Sequence, residues 1–157
     1  VLQGPNGTVR IDGVEKGAKP LKALRETTAQ RLEQHGVKPT PQRMEIAELM
    51  LAEPCHRSAD QVMALLRATG SAVSKATVYN TLHLFSAQGL LREIAVDPSR
   101  LFYDSTTGPH HHFYNEDTGE LVDVSADELE VSRMPALPAG TDAQSLEVVI
   151  RIRNRRR

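Results

Sequence analysis

The stretch Ser74–Asp104, SKATVYNTLHLFSAQGLLREIAVDPSRLFYD, decides the fold. Ser74 is a helix-capping residue, because its hydroxyl can accept an N–H of the first turn. Val78, Leu82 and Phe85 recur at helical spacing behind it, and Gly89 is a natural stop. The spacing predicts a helix of about 15 residues with Lys75, Tyr79, Asn80 and His83 off its apolar stripe. Two extended runs follow, Leu91 to Val96 and Arg100 to Tyr103. Asp97-Pro98-Ser99 between them has turn chemistry, so the pair is expected to form a β-hairpin.

Working outward toward the N-terminus, Ser58-Ala59-Asp60-Gln61 has the form of a capping box. It predicts a helix that buries Val62, Leu65 and Leu66 and ends at Gly70. Thr40 caps an earlier helix with Pro41 in its first turn and a stripe of Met44, Ala47 and Leu51. A first helix runs from Leu21 to His35, with Leu21, Leu24, Thr28 and Leu32 on one face and Gly36 as its stop. Helices followed by a hairpin give the order of a winged helix-turn-helix, with the Ser74 helix in the reading position. Residues 1–20 hold four Gly and two Pro and read as a flexible arm.

Beyond Asp104 the pattern changes. Strands near His111–Tyr114 and Glu120–Val124 flank Asn115–Gly119. Ser125-Ala126-Asp127-Glu128 predicts the start of a short helix, and Pro135–Gly140 a loop. Leu146, Val148, Ile150 and Ile152 alternate with Glu147, Arg151 and Arg153, which marks a strand. The expected fold class is α+β: a winged-helix domain over 21–104, then a small α/β dimerisation domain over 105–157 with an Arg-rich end.

The chain of 157 residues is 39% hydrophobic and 25% charged, which fits a folded globular protein. No apolar run reaches the roughly 18 residues of a membrane-spanning helix. No charged-then-apolar leader suggests secretion, so a cytoplasmic location is expected. Cys55 is the one cysteine and excludes both an internal disulfide and a four-cysteine zinc site in a single chain. The net charge is −1, but its distribution is uneven. Residues 20–100 hold ten Lys/Arg and eight Asp/Glu, whereas 101–150 hold one Arg and ten Asp/Glu. Such a split suits polyanion binding in one half and cation binding in the other.

The acidic half also holds three consecutive histidines. On a strand, His110 and His112 share a face and His111 points away. Asp104 lies just before them, Asp123 on the partner strand, and His56 just before a helix N-terminus. Imidazoles with carboxylates suit iron, manganese or zinc. An enzyme using two histidines and a carboxylate on iron is a weaker reading. The chain has no phosphate-cradling glycine loop and no nucleophile elbow, and its six aromatic residues give little to line a substrate pocket.

Several ordered motifs resemble the ferric uptake regulator family: GVKPTPQR at 36–43, HRSAD at 56–60, ATVYNTL at 76–82, QGLL at 88–91 and HHHFYNEDTGELVDV at 110–124. Within it the chain is most similar to the iron response regulator (Irr) branch of alphaproteobacteria. Asn80 stands where most relatives carry Arg, Asn115 and Thr118 stand where relatives carry zinc-binding cysteines, and LEVVIRIR at 146–153 runs into arginines. The resemblance implies an iron- or haem-responsive transcriptional regulator, a homodimer on a double-stranded DNA operator, that controls iron and haem metabolism genes. It implies Fe2+ or Mn2+ on His56, Asp104, His110, His112 and Asp123, and no cysteine-ligated structural zinc. A second family site would use His111 and Glu130, with Gln144 where its remaining histidine is expected. Haem, free or brought by a delivering protein, is implied at His110, His111 and His112. The Cys-Pro haem motif of some relatives is reversed here as Pro54-Cys55.

On this reading Arg43 and Lys75 touch phosphates. Thr77 also counts among the DNA contacts, Tyr79 meets a thymine methyl or the backbone, Asn80 reads an adenine edge, and Arg100 on the wing reaches the backbone or the minor groove. The rival of another kind is a metal-independent winged-helix regulator whose acidic half only dimerises.

Overall fold

The computed structural model describes residues 21–155. Four helices come first: α1 (Leu21–Gln34), α2 (Pro41–Leu51), α3 (Ala59–Ala68) and α4 (Lys75–Ala87). Each of the last three starts where a side chain satisfies the free N–H groups of its first turn. Thr40 Oγ1 accepts from Arg43 N–H, and Ser74 Oγ accepts from Thr77 N–H at 3.1 Å. Ser58 and Gln61 close a reciprocal box, 3.3 Å one way and 2.8 Å the other. At the C-terminal end of α4, Gly89 takes φ +73°, which lets Leu90 N–H turn back to the Phe85 carbonyl at 2.8 Å.

The helices enclose one apolar core that includes Leu32, Ile46, Met50, Val62, Leu82 and Phe85. The sequence places Met44, Ala47 and Leu51 on the inner face of α2; instead Ile46, Ala47 and Met50 are buried, and Met44 and Leu51 flank them. The face turns because α2 packs against α1, α3 and α4 together. On α3, Met63 is buried where Leu65 was expected, and Leu65 is exposed. The stripe on α1 is described only in part: Thr28 and Leu32 are buried, whereas the side chains of Leu21 and Leu24, like the arm over 1–20, lie outside the described residues.

Two three-stranded sheets complete the α+β fold. In the first, β2 (Arg92–Asp97) and β3 (Arg100–Asp104) form the expected hairpin, and β1 (His56–Ser58) adds to the other side of β3. In the second, β4 (His110–Asn115) pairs antiparallel with β5 (Glu120–Ser125) and parallel with β6 (Val149–Ile152), which forms one edge. A parallel partner needs a crossover, and residues 126–148 make it. The helix expected at Ser125 is a single 3₁₀ turn, Ala126–Glu128. The Ser125 N–H does donate to the Glu128 carboxylate at 3.0 Å. Leu129 is already extended, however, and Pro135 and Pro138 follow, so no helix propagates. A smaller apolar cluster, Ile94, Val96, Phe102 and Tyr114 with Leu121 and Val149, joins the two sheets.

Candidate metal centre

The first sheet delivers two groups to one point. β1 pairs with β3 so that His56 lies opposite Asp104. β4 delivers His110 and His112 from one face, and Asp123 sits opposite His112 on β5. One ligand atom from each of these five residues lies within 4.8 Å of every other. His110 Nε2 is 2.9 Å from His112 Nε2 and 2.9 Å from Asp104 Oδ2, and His56 Nε2 is 2.7 Å from Asp123 Oδ1. Asp104 and His112 are fully buried, and Asp123 forms the open side.

The hydrogen atoms decide what this cluster needs. His110 Nδ1 is 2.8 Å from the Gly108 carbonyl, and His112 Nδ1 is 2.8 Å from Glu147 Oε1. Both partners only accept, so both Nδ1 atoms carry hydrogen, and in the neutral rings both Nε2 atoms present lone pairs. Two such nitrogens 2.9 Å apart need either a shared proton or a metal ion between them. His56 Nε2 and Asp104 Oδ2 are buried without an aligned hydrogen-bond partner, although they sit at ion-pair distance from their neighbours. They are close to those neighbours and aim at a common centre. Three imidazoles and two carboxylates so arranged fit a divalent ion such as Fe2+, Mn2+ or Zn2+.

The electrostatics agree. Burial pushes the Asp104 carboxyl up, but the His112 ring, which donates to it when protonated, and the Thr106 N–H, with the other imidazoles, hold it below its ordinary value. Burial pulls His112 down, and its bonds to Asp104 and Glu147 outweigh that and raise it. His56 is lowered, chiefly by burial. A proton can thus stand in for the ion at low pH, and the ion must displace it to bind.

His111 faces the other way, into a cavity of about 650 Å³ with Leu129, Val131, Gln144 and Leu146 on its walls. Its Nδ1 accepts the Val148 N–H at 3.2 Å, which places its hydrogen on Nε2. Glu130 is exposed and forms no ligand group with His111 among the described residues. Two participants were missed from sequence. Glu147 reads there as the outward position of an alternating strand, and Arg92 as an ordinary strand residue; nothing local marks either.

Three of the nucleic-acid candidates share one groove. Arg43, Thr77 and Asn80 line a shallow groove between α2 and α4. Lys75 lies 5.6 Å over the Tyr79 ring and 3.6 Å from Asp60, which also accepts from the Tyr79 hydroxyl at 3.5 Å. Arg100 begins β3 next to the hairpin turn and is ion-paired with Asp97 at 3.0 Å.

Comparison with known proteins gives consistent results. Residues 34–150 match the model of the ferric uptake regulator family. The peroxide-responsive repressor PerR of Staphylococcus aureus (strain USA300) is 32% identical over 128 residues, which span 81% of this chain and 82% of the repressor. The ferric uptake regulator from Pseudomonas aeruginosa, solved with manganese, is 28% identical with a TM-score of 0.64, covering 82% of this chain and 98% of that one. The Vibrio cholerae ferric uptake regulator, 22% identical with a TM-score of 0.61 over 80% of this chain and 98% of its own, has the same fold.

Proposed function

Because this chain belongs to the ferric uptake regulator family, we propose that it is a dimeric, DNA-binding transcriptional regulator of the iron response regulator type, controlled by Fe2+ or Mn2+ at the five-residue centre and answering to iron or haem. The observation that carries the metal reading is the convergence of five ligand atoms within 4.8 Å of one another, with the Nε2 atoms of His110 and His112 2.9 Å apart, backed by the buried Asp104 carboxylate. His56 and Asp104 belong to the helical half, and His110, His112 and Asp123 to the second sheet. One ion held by all five fixes how the halves sit. In a twofold dimer that placement sets the distance between the two α4 helices, and so the match to half-sites in successive major grooves.

The deciding experiment selects DNA from a random pool with Mn2+-loaded protein. The selected sites are then titrated with apo, Mn2+-loaded and haem-loaded protein. Tight binding only with metal, altered by haem, supports the proposal in full. Metal-dependent binding that ignores haem leaves the metal part and removes the haem part. Equal affinity after chelation would make this a metal-independent winged-helix regulator.

The PerR likeness favours a second reading, in which peroxide is the signal. Release from DNA by peroxide in Fe2+-loaded but not Mn2+-loaded protein would select it.

A further inference from the structure

Behind the five candidate ligands lies a second layer of contacts. Arg92, on β2 of the wing hairpin, sits opposite Asp104 in the strand register. Its guanidinium donates through Nη1 to the Gly108 carbonyl at 3.0 Å and through Nη2 to Glu147 Oε2 at 3.1 Å. Those two acceptors are the ones that take the Nδ1 hydrogens of His110 and His112. Arg92 Nη1 also lies 3.3 Å from His110 Nδ1. The 2.8 Å contact of that Nδ1 with a carbonyl, which cannot donate, assigns the hydrogen to Nδ1, so this approach is not a hydrogen bond.

We propose that Arg92 and Glu147 are positioning residues of the metal centre. One guanidinium from the wing hairpin holds the two acceptors that lock His110 and His112 in the tautomer whose Nε2 lone pairs face the ion. The inference rests on the metal reading above and adds to it. The carboxylate on the far nitrogen fixes the ring and makes the ligating nitrogen more basic. Arg92 belongs to the helical half, while Glu147 leads into β6 of the second sheet. The side-chain exposures, 26% for Arg92 and 29% for Glu147, leave the pair partly shielded from water, where a charge-assisted contact holds geometry better than at an open surface. Undocking the halves would release Glu147 and the Gly108 carbonyl from their common donor. Metal affinity and docking are therefore coupled in both directions.

The full-length chain is tested with four variants: Glu147→Ala, Glu147→Gln, Arg92→Ala and Arg92→Lys. Long-range proton–nitrogen NMR of the imidazoles, on metal-free protein at alkaline pH, should show His110 and His112 with hydrogen on Nδ1. In Glu147→Ala the His112 hydrogen should move toward Nε2. Calorimetry with Mn2+ should show Glu147→Ala weaker by about 10- to 100-fold, the range typical of lost outer-layer partners. Glu147→Gln, whose amide oxygen still accepts from Nδ1–H, should recover much of that loss. Arg92→Ala should weaken Mn2+ binding and narrow the gap between metal-loaded and apo DNA affinity, with Arg92→Lys intermediate. An unchanged His112 tautomer with Mn2+ affinity within about twofold of the parent would overturn the inference. A parent chain that binds no Mn2+ would instead sink the metal reading, and the tautomer measurement would still judge the second layer. Should the alanine variants fail to fold, Glu147→Gln and Arg92→Lys carry the same readouts.

Discussion

Asp97 shows how much one side chain can organise. Its carboxylate accepts from the Ser99 N–H at 2.8 Å, the Ser99 hydroxyl at 2.7 Å, Arg100 at 3.0 Å and the Tyr114 hydroxyl at 3.1 Å. These bonds, those from Ser99 first, hold its pKa at about 2 against an ordinary 3.8. The folded value lies below the unfolded one. The stabilisation is therefore complete above the unfolded value and is lost as pH falls through that window toward the folded value. Urea denaturation followed down this range should show a smaller loss for Asp97→Asn than for the parent; parallel curves would reject the assignment. His111 gives a second residue-scale prediction. With its Nδ1 engaged by the Val148 N–H, His111→Ala should cost about 1 kcal/mol of stability while Mn2+ affinity stays near the parent's. His112→Ala, which removes a fully buried ligand candidate, should lower that affinity sharply. The face alternation of His110, His111 and His112 was legible because a strand has period two. The Glu147 partner of His112 was not, because the two are 35 residues apart and joined only by the tertiary fold.

Elements were legible where the sequence carries their punctuation. Thr40-Pro41, Ser58 with Gln61, and Ser74 each announce a helix start, and the structure makes each of those bonds. β1 had no such signal, since three residues give no periodicity and its partner β3 lies more than 40 residues on. Without β1 the sequence could place His56 only near a helix start; with it, His56 stands opposite Asp104. The inner face of α2 was misread for a related reason: several neighbours compete for one helix, and spacing alone does not rank them. α4 carries the prediction at this scale. Val78, Leu82 and Phe85 anchor it, which leaves Lys75, Tyr79 and Asn80 exposed on its outer side. Asn80→Ala should cost about 1–3 kcal/mol on the selected site and relax preference at one base position. Lys75→Ala should weaken all sequences alike and lower the salt slope by about one. Filter binding across a salt series separates these outcomes, and no change from either variant would remove α4 as the reading element.

At the scale of the whole molecule, exposed apolar side chains collect in one half. Val122, Val131, Met134, Leu137, Leu146 and Ile152 are exposed, whereas among the described residues only Leu65 and Tyr79 are comparably large and exposed elsewhere. They lie on β5, on the crossover and on β6, the edge strand whose outer side has no partner among the described residues. An open edge beside scattered apolar side chains is costly in water, and a second copy related by twofold symmetry would cover both. The alternating pattern from Leu146 marked the last strand, of which the structure forms only Val149–Ile152, and its parallel seat against β4 was not legible, because that depends on the course of residues 126–148. The expected state in solution is therefore a dimer, and light scattering should report twice the mass of the chain. Changing Val131 and Leu137 together to Asp should give a monomer. All five candidate ligands come from one chain, so this monomer should still bind Mn2+. It should nevertheless lose most of its affinity for a two-half-site operator, because each molecule then presents a single α4. A monomeric parent, or a double variant that remains dimeric, would show that these side chains are not the dimer surface. Mn2+ binding lost together with dimerisation would show that the centre is completed across the interface and not within one chain.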